Sequence, residues 1–277
     1  MKVVVFSDLD GTLLDPATYS WKPAEQALSA LKARQASLIL VTSKTLVEVA
    51  SLHRQLGLKD PFIFENGGGI VAQTGSQLGG YLASRYPKTI ESRDGHSLVF
   101  HLGKKYADLV LALAEISDEL DVNLTGFSSM SDDEVKELTG LPLQDAAKAR
   151  VRLFDEPFLL PQESFERQDE ISAAAKRRGL RIVSGGRFFH LIGHSGKGEA
   201  VSILIEAFRH LCGEIITIGL GDSPNDFPFL QLMQIPILLG ESGHHRGLPE
   251  SLKDLRRIEE PGPAGWNGVV LEVLSRL

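Results

Sequence analysis

The sequence predicts an α/β fold: a parallel sheet covered by helices, with an α+β domain inserted into it. Three observations carry this. Residues 1–70 read strand, helix, strand, helix, strand, an order that implies a parallel sheet with crossover helices. The alternation of helix and buried strand resumes from Gly193 to the end of the chain. Between them, residues 81–190 change to helical stretches among short strands. Both ends of that insert join the first domain, so the division is 1–80 and 191–277 for the sheet domain and 81–190 for the insert.

The elements follow in order. Val3, Val4, Val5 and Phe6 are a β-branched and aromatic run that reads as a fully buried strand. A helix covers 23–34, with Ala24, Ala27, Leu28 and Leu31 on one stripe. A second strand spans 37–41, and a helix over 45–56 stops at Gly57. The third strand, 61–64, runs into Glu65-Asn66-Gly67-Gly68-Gly69. In the insert, helices are expected at 107–120, 131–138, 144–149 and 164–178, with strands at 96–102, 149–154, 181–184 and 188–192. After it come a helix over 197–211, a strand over 214–220, a short helix over 225–233, a strand over 235–239 and a last helix over 267–277. Pro261, Gly262, Pro263 and Gly265 read as a rigid loop.

Composition excludes several classes. With 29 Lys and Arg against 36 Asp and Glu, the net charge is -7, so the chain lacks the basic field of a non-specific nucleic-acid binder. Cys212 is the single cysteine, which rules out an intramolecular disulfide and argues against a thiolate metal site. No apolar stretch reaches the ~18 residues of a membrane span. The N-terminal run meets acidic residues at once, unlike a secretory signal. A cytoplasmic protein is expected.

Asp8 and Asp10 stand at the C-terminal end of the first strand, where open parallel sheets bind their ligands. Their spacing points both side chains to one side. Close carboxylates repel unless a cation lies between them or one takes up a proton. Alone, the pair reads equally as an acidic loop. The other strand ends favour chemistry: Thr42 and Ser43 close the second strand, Asp222, Asn225 and Asp226 follow a later one, and Lys197 opens a helix. Oxygen ligands of this kind suit Mg²⁺, which shares substrate phosphate oxygens. A lysine and a hydroxyl beside it would neutralise a phosphoryl group. Competing motifs fail. Leu191 stands where a P-loop needs glycine, and Gly198 where it needs Ser or Thr. Thr12 and Leu13 break an EF-hand loop. His244-His245 reads as a surface pair.

D-x-D-G-T-L at 8–13, V-T-S at 41–43, S-G-K-G at 195–198 and G-D-x-x-N-D at 221–226 together resemble the haloacid dehalogenase-like (HAD) phosphatase superfamily. The resemblance implies a Rossmann-like core, a C2-type cap for the insert, and a covalent aspartyl-phosphate mechanism. By position it implies Asp8 as nucleophile and Asp10 as general acid, then base. Thr42, or Ser43 if the register slips by one, would bond the phosphoryl group, and Lys197 would offset its charge. Mg²⁺ would sit on Asp8, the Asp10 backbone carbonyl and Asp222, with Asp226 and Asn225 supporting it.

Further stretches bear on substrate. Glu65, Asn66, Gly67 and Gly68 end the third strand at the same edge; the glycines would admit a ligand close to the backbone, or turn the chain into the cap. Residues 150–158 alternate charge and apolarity like a half-buried strand, with Arg150 and Arg152 on one face. Arginine there suits a carboxylate. Ser184 and Gly185 would offer backbone amides to an anion, and His190 follows on the next strand. T-S-K-T-x-x-E (42–48, including Lys44), P-F-I-x-E-N-G (61–67), R-L-F-D-E-P-F (152–158) and G-P-x-G-W-N (262–267) are similar to mannosyl-3-phosphoglycerate phosphatases. That similarity implies hydrolysis of 2-O-mannosyl-3-phosphoglycerate to mannosylglycerate and phosphate, a step in making a compatible solute. Mg²⁺ and Lys197 would take the phosphate, arginine or backbone amides the carboxylate, and Glu65 and Asn66 the hydroxyls. The alternatives are the glucosyl epimer or sucrose phosphate as substrate, a phosphohexomutase-type transfer, and a non-catalytic phosphate-binding module. Intact Asp8, Asp10, Lys197 and Asp222 weigh against the last.

Overall fold

The computed structural model describes residues 1–93, 95–185, 187–240, 248–253 and 255–277; His244, His245 and Gly186 lie outside the described residues. The chain runs β1 (Lys2–Ser7), α1 (Glu25–Ala33), β2 (Ser37–Leu40), α2 (Leu46–Gln55), β3 (Phe62–Phe64), β4 (Gly69–Gln73), α3 (Gln77–Arg85), β5 (Ile90–Arg93) and β6 (Ser97–His101). It continues through α4 (Tyr106–Leu120), β7 (Thr125–Gly126), α5 (Asp132–Thr139), α6 (Leu143–Ala149), β8 (Asp155–Leu159), α7 (Gln168–Arg177), β9 (Arg181–Gly185) and β10 (Phe188–Ile192). It ends with α8 (Lys197–Cys212), β11 (Ile215–Gly221), α9 (Phe227–Leu230), β12 (Ile235–Leu239), β13 (Arg256–Ile258) and α10 (Gly262–Arg276).

The central sheet is parallel, in the order β13-β12-β11-β1-β2. Neighbouring residues of β1 face opposite ways. Val4 and Phe6 pack against Val201 and Leu204 of α8, while Val5 packs with Ala27 and Leu31 of α1 and Val270 of α10. Both faces are therefore covered, which is why β1 reads as an unbroken apolar run. α2 starts on a capping box in which Thr45 and Glu48 satisfy each other's backbone amides.

The third expected strand does not extend this sheet. β3 touches it through one parallel bridge, Val41 to Ile63, and otherwise belongs to an antiparallel sheet, β3-β4-β6-β5. The cause is local: Glu65, Asn66 and Gly67 take φ of 48°, 52° and 90°, which reverses the chain into β4.

The insert is an α+β unit built on the antiparallel sheet β7-β8-β10-β9. Phe158, Phe189 and Leu191 pack one face against α4 and α7. Leu159 and Phe188 belong to the other face, with Val135 of α5 and Ala146 of α6. The sequence division began the insert at 81. However, Leu82 and Phe100 share an apolar cluster with Phe6 and Leu204, and the insert's own cluster starts at Leu109. We therefore begin the cap near 104 and assign α3, β5 and β6 to the sheet domain.

Other expectations shift. Residues 149–154 are not a strand: α6 runs to Ala149, and β8 begins only at Asp155. The amides of Leu153 and Phe154 donate to the Glu65 carboxylate instead of a ladder. The last helix starts at Gly262, with Pro263 in its first turn, where a missing N–H costs nothing. The helix expected at 225–233 is a 3-10 turn over Pro224–Asp226 followed by the four-residue α9. α3, β4, β5, β7 and β13 were not anticipated. No helix among the described residues is long and apolar enough to cross a membrane.

Candidate active site

The parallel register brings the acidic side chains of the site together. Ser7 pairs with Leu220 and the Asp8 amide donates to the Leu220 carbonyl at 2.9 Å, so β1 and β11 deliver Asp8 and Asp222 to one edge. Gly11 lets their loops pass: at φ 77°, a Cβ there would lie 2.5 Å from Asp222 Oδ2. Asp226 comes from the turn before α9 and is fully buried. Its Oδ2 accepts the amides of Asp222 (3.0 Å) and Ser223 (3.2 Å). Asp8, Asp222 and Asp226 each offer a carboxylate oxygen within 4.8 Å of the others.

Lys197, at the first turn of α8, reaches this cluster. Its Nζ donates to Asp8 Oδ1 and to Asp226 Oδ1, both at 2.6 Å. Burial opposes the ammonium, but Asp226 and Asp8 outweigh it and hold Lys197 charged. The carboxylates fare differently. Burial, with Asp226 and Asp10 nearby, pushes Asp8 up to about 7 despite Lys197. Burial, then Asp8 and Asp226, raise Asp222 well above the usual carboxylate range. Three carboxylates facing one ammonium form a donor set of hard oxygens with excess negative charge, which fits a divalent cation.

A pocket of about 240 Å³ opens above the cluster, between sheet domain and cap. Asp8, Asp10, Ser43, Lys44, Asp222 and Asn225 line its floor, and Arg152, Gly185, Arg187 and His190 its cap side. The Asp10 side chain pairs with Lys44, whose Nζ lies 3.0 Å from its Oδ2 and 3.6 Å from Glu48 and sits over the Tyr19 ring. Thr42 is buried and its Oγ1 accepts the Lys44 amide; Ser43, not Thr42, reaches the pocket wall.

Several expected ligand contacts are contacts within the protein. Glu65 is fully buried, and its carboxylate accepts the Leu153 and Phe154 amides at 2.9 and 2.6 Å. Burial raises it to about 7, with Arg152 pulling the other way. Asn66 donates to Asp155 Oδ2 at 2.8 Å and accepts from Asn225 at 3.2 Å. Gly67 makes room for the Gly196 carbonyl, 2.1 Å from where its Cβ would be, and Gly68 makes room for Phe154. Ser184 lines a second cavity of about 150 Å³ with Asn66, Arg181 and Lys197. Arg150 pairs with Asp132.

Asp155 is a junction the sequence did not single out. Fully buried, it meets His190 Nδ1 at 2.9 Å, Asn66 at 2.8 Å and Arg152 at 3.6 Å. Burial alone would raise its carboxyl; His190 and Arg152 outweigh that and hold it low. Arg152 in turn donates to the Ser43 carbonyl at 3.2 Å, so this network ties the cap to the loop after β2. Arg187, Tyr19 and Glu48 are further pocket residues. Asp155 lies within the 152–158 motif, but that it is a buried charge, which is costly unless paired, emerges only from the fold.

Residues 5–114 match the family model for haloacid dehalogenase-like hydrolases. A curated glucosyl-3-phosphoglycerate/mannosyl-3-phosphoglycerate phosphatase of Persephonella marina is 36% identical, covering 99% of this chain and 98% of its own. One of the same name from Methanococcoides burtonii is 34% identical, covering 100% and 98%. Among solved structures, the Thermoplasma acidophilum protein 0175 superposes with a TM-score of 0.67 at 20% identity, over 98% of both chains.

Proposed function

The chain belongs to the haloacid dehalogenase-like phosphatases, hydrolases of phosphoric monoesters, and we propose that its substrate is a glycosyl-3-phosphoglycerate, mannosyl or glucosyl. The observation that carries the reading is Asp8 fixed by Lys197 beside Asp222 and Asp226, on the floor of a pocket roofed by Arg152 and Arg187. Full-length similarity to two phosphatases named for these substrates supports it.

Asp8 attacks phosphorus through a carboxylate oxygen, and the bond from phosphorus to the glycerate C3 oxygen breaks. Asp10 gives that oxygen its proton. Water then attacks phospho-Asp8, Asp10 takes its proton, and phosphate leaves with Asp8 restored. Lys197 keeps Asp8 aligned and offsets charge on the phosphoryl oxygens. Lys44, paired to Asp10, fixes the acid's position over the pocket. Ser43, on the wall, bonds the phosphoryl group. Asp8 and Asp222, with Asp226 behind them, would hold Mg²⁺, whose charge there would stabilise the phosphoryl oxygens.

Phosphate release from mannosyl- and glucosyl-3-phosphoglycerate, sucrose phosphate and phosphoglycolate tests the proposal. The glycosyl-phosphoglycerates are expected to lead in kcat/KM by about 100-fold, as when a polar site loses a partner it was built for. Equal rates across the panel would overturn it. Transfer of phosphate to a sugar in place of release would favour a mutase-type reaction.

A further inference from the structure

The pocket and the acidic cluster at its floor hold several cations, and among the described residues all but one are already matched. Lys197 is paired with Asp8 and Asp226. Lys44 is paired with Asp10 and Glu48. Arg152, with a side chain only 5% exposed, and His190 share Asp155. Arg187 stands on the cap side of the same pocket with no carboxylate in ion-pair reach among the described residues. Its placement is nonetheless fixed. Nη1 donates to the carbonyls of Leu138 and Thr139, both at 3.1 Å, at the C-terminal end of α5. The Thr139 carbonyl also accepts from the Tyr19 hydroxyl of the sheet domain at 3.2 Å. The guanidinium is therefore anchored where cap and core meet, and a guanidinium has five N–H donors. Among the described residues no group takes the donors beyond Nη1, which leaves them for a ligand.

A phosphate monoester that fills this pocket puts its phosphoryl group over Asp8, where Lys197 already serves it. A second negative charge on the substrate needs another cation, and an anchored guanidinium matches a carboxylate as a fork. We infer that Arg187 recognises the substrate carboxylate and selects phosphate monoesters that carry one over those that do not. The inference rests on the phosphoglycerate reading above and assigns its carboxylate a partner.

The test uses 3-phosphoglycerate and glycerol 3-phosphate, which differ only in the carboxylate, as competitive inhibitors of p-nitrophenyl phosphate hydrolysis by the full chain. The natural protein is expected to bind 3-phosphoglycerate tighter, and Arg187→Gln to reduce that preference by about 10- to 100-fold, the size of a lost charge-assisted bond. Arg187→Lys keeps the charge without the fork and is expected to fall between. Because the readout is a ratio, a variant that merely loosens the cap would weaken both inhibitors alike and leave it unmoved, which would overturn the inference. So would a natural protein that binds the two equally. If the natural protein shows the preference and Arg187→Gln removes it, yet no glycosyl-phosphoglycerate is hydrolysed, the arginine's role stands and the substrate reading falls.

Discussion

Replacing Asp155 with alanine tests whether cap and sheet domain are joined by a buried charge. The carboxylate is fully buried and serves three groups at once: Asn66 at 2.8 Å, His190 at 2.9 Å and Arg152 at 3.6 Å. Alanine leaves the Arg152 charge without its carboxylate at a site where its side chain is only 5% exposed. Removing one partner of a buried ion pair costs about 3–5 kcal/mol, so Asp155→Ala is expected to lose about 4 kcal/mol. Asp155→Asn keeps an acceptor but drops the charge, and is expected to lose about 2 kcal/mol, the scale of one charge-assisted bond. Urea unfolding at neutral pH, followed by fluorescence of Trp21 and Trp266, measures both from midpoint and slope. Arg152 also holds the Ser43 carbonyl, so kcat/KM is expected to fall with stability. An Asp155→Ala chain within about 1 kcal/mol of the natural protein, below the range for a broken buried pair, would show that this carboxylate does not hold cap and sheet domain together.

Three further outcomes are expected. Glu65 rises from 4.5 to about 7 on folding, chiefly through burial. Its stabilising contribution is therefore fully present below pH 4.5 and is lost as pH climbs through 7, a span of about 3 kcal/mol. Glu65→Gln does not titrate, so its stability relative to the natural protein should improve from pH 4.5 to 8; a difference flat with pH would contradict this. Gly67→Ala places a Cβ 2.1 Å from the Gly196 carbonyl at φ 90°, and calorimetry should register a loss of about 3 kcal/mol. A chelator should stop phosphate release and added Mg²⁺ restore it, whereas full turnover in EDTA would remove the metal from the account.

The sheet edge was legible because its signals are local. Val3 to Phe6 is apolar on both faces, so Asp8 had to fall at a strand end, and the same logic places Asp222 after β11. Lys197 was legible as the first residue of a helix. The Glu65–Gly68 stretch was visible as special, but the groups it touches were not. A glycine in a sequence says that something comes close, not what does; here it is the Gly196 carbonyl and the Phe154 ring. The 150–158 stretch alternates like a strand, yet Glu65 captures its amides from 88 residues away and delays β8 to Asp155. We place the cap boundary later than the sequence division for a related reason: Leu82 and Phe100 look the same in sequence whichever core they enter. Arg187 lies between β9 and β10, and that it has no carboxylate partner among the described residues is a property of the folded pocket alone.

The most direct test of the central claim is mass analysis of the chain quenched in acid during turnover. The added mass of one phosphoryl group is expected on the peptide carrying Asp8, and in Asp8→Asn both that mass and phosphate release are expected to be lost. An Asp8→Asn chain that still releases phosphate, or a phosphoryl group trapped on a different residue, would contradict it.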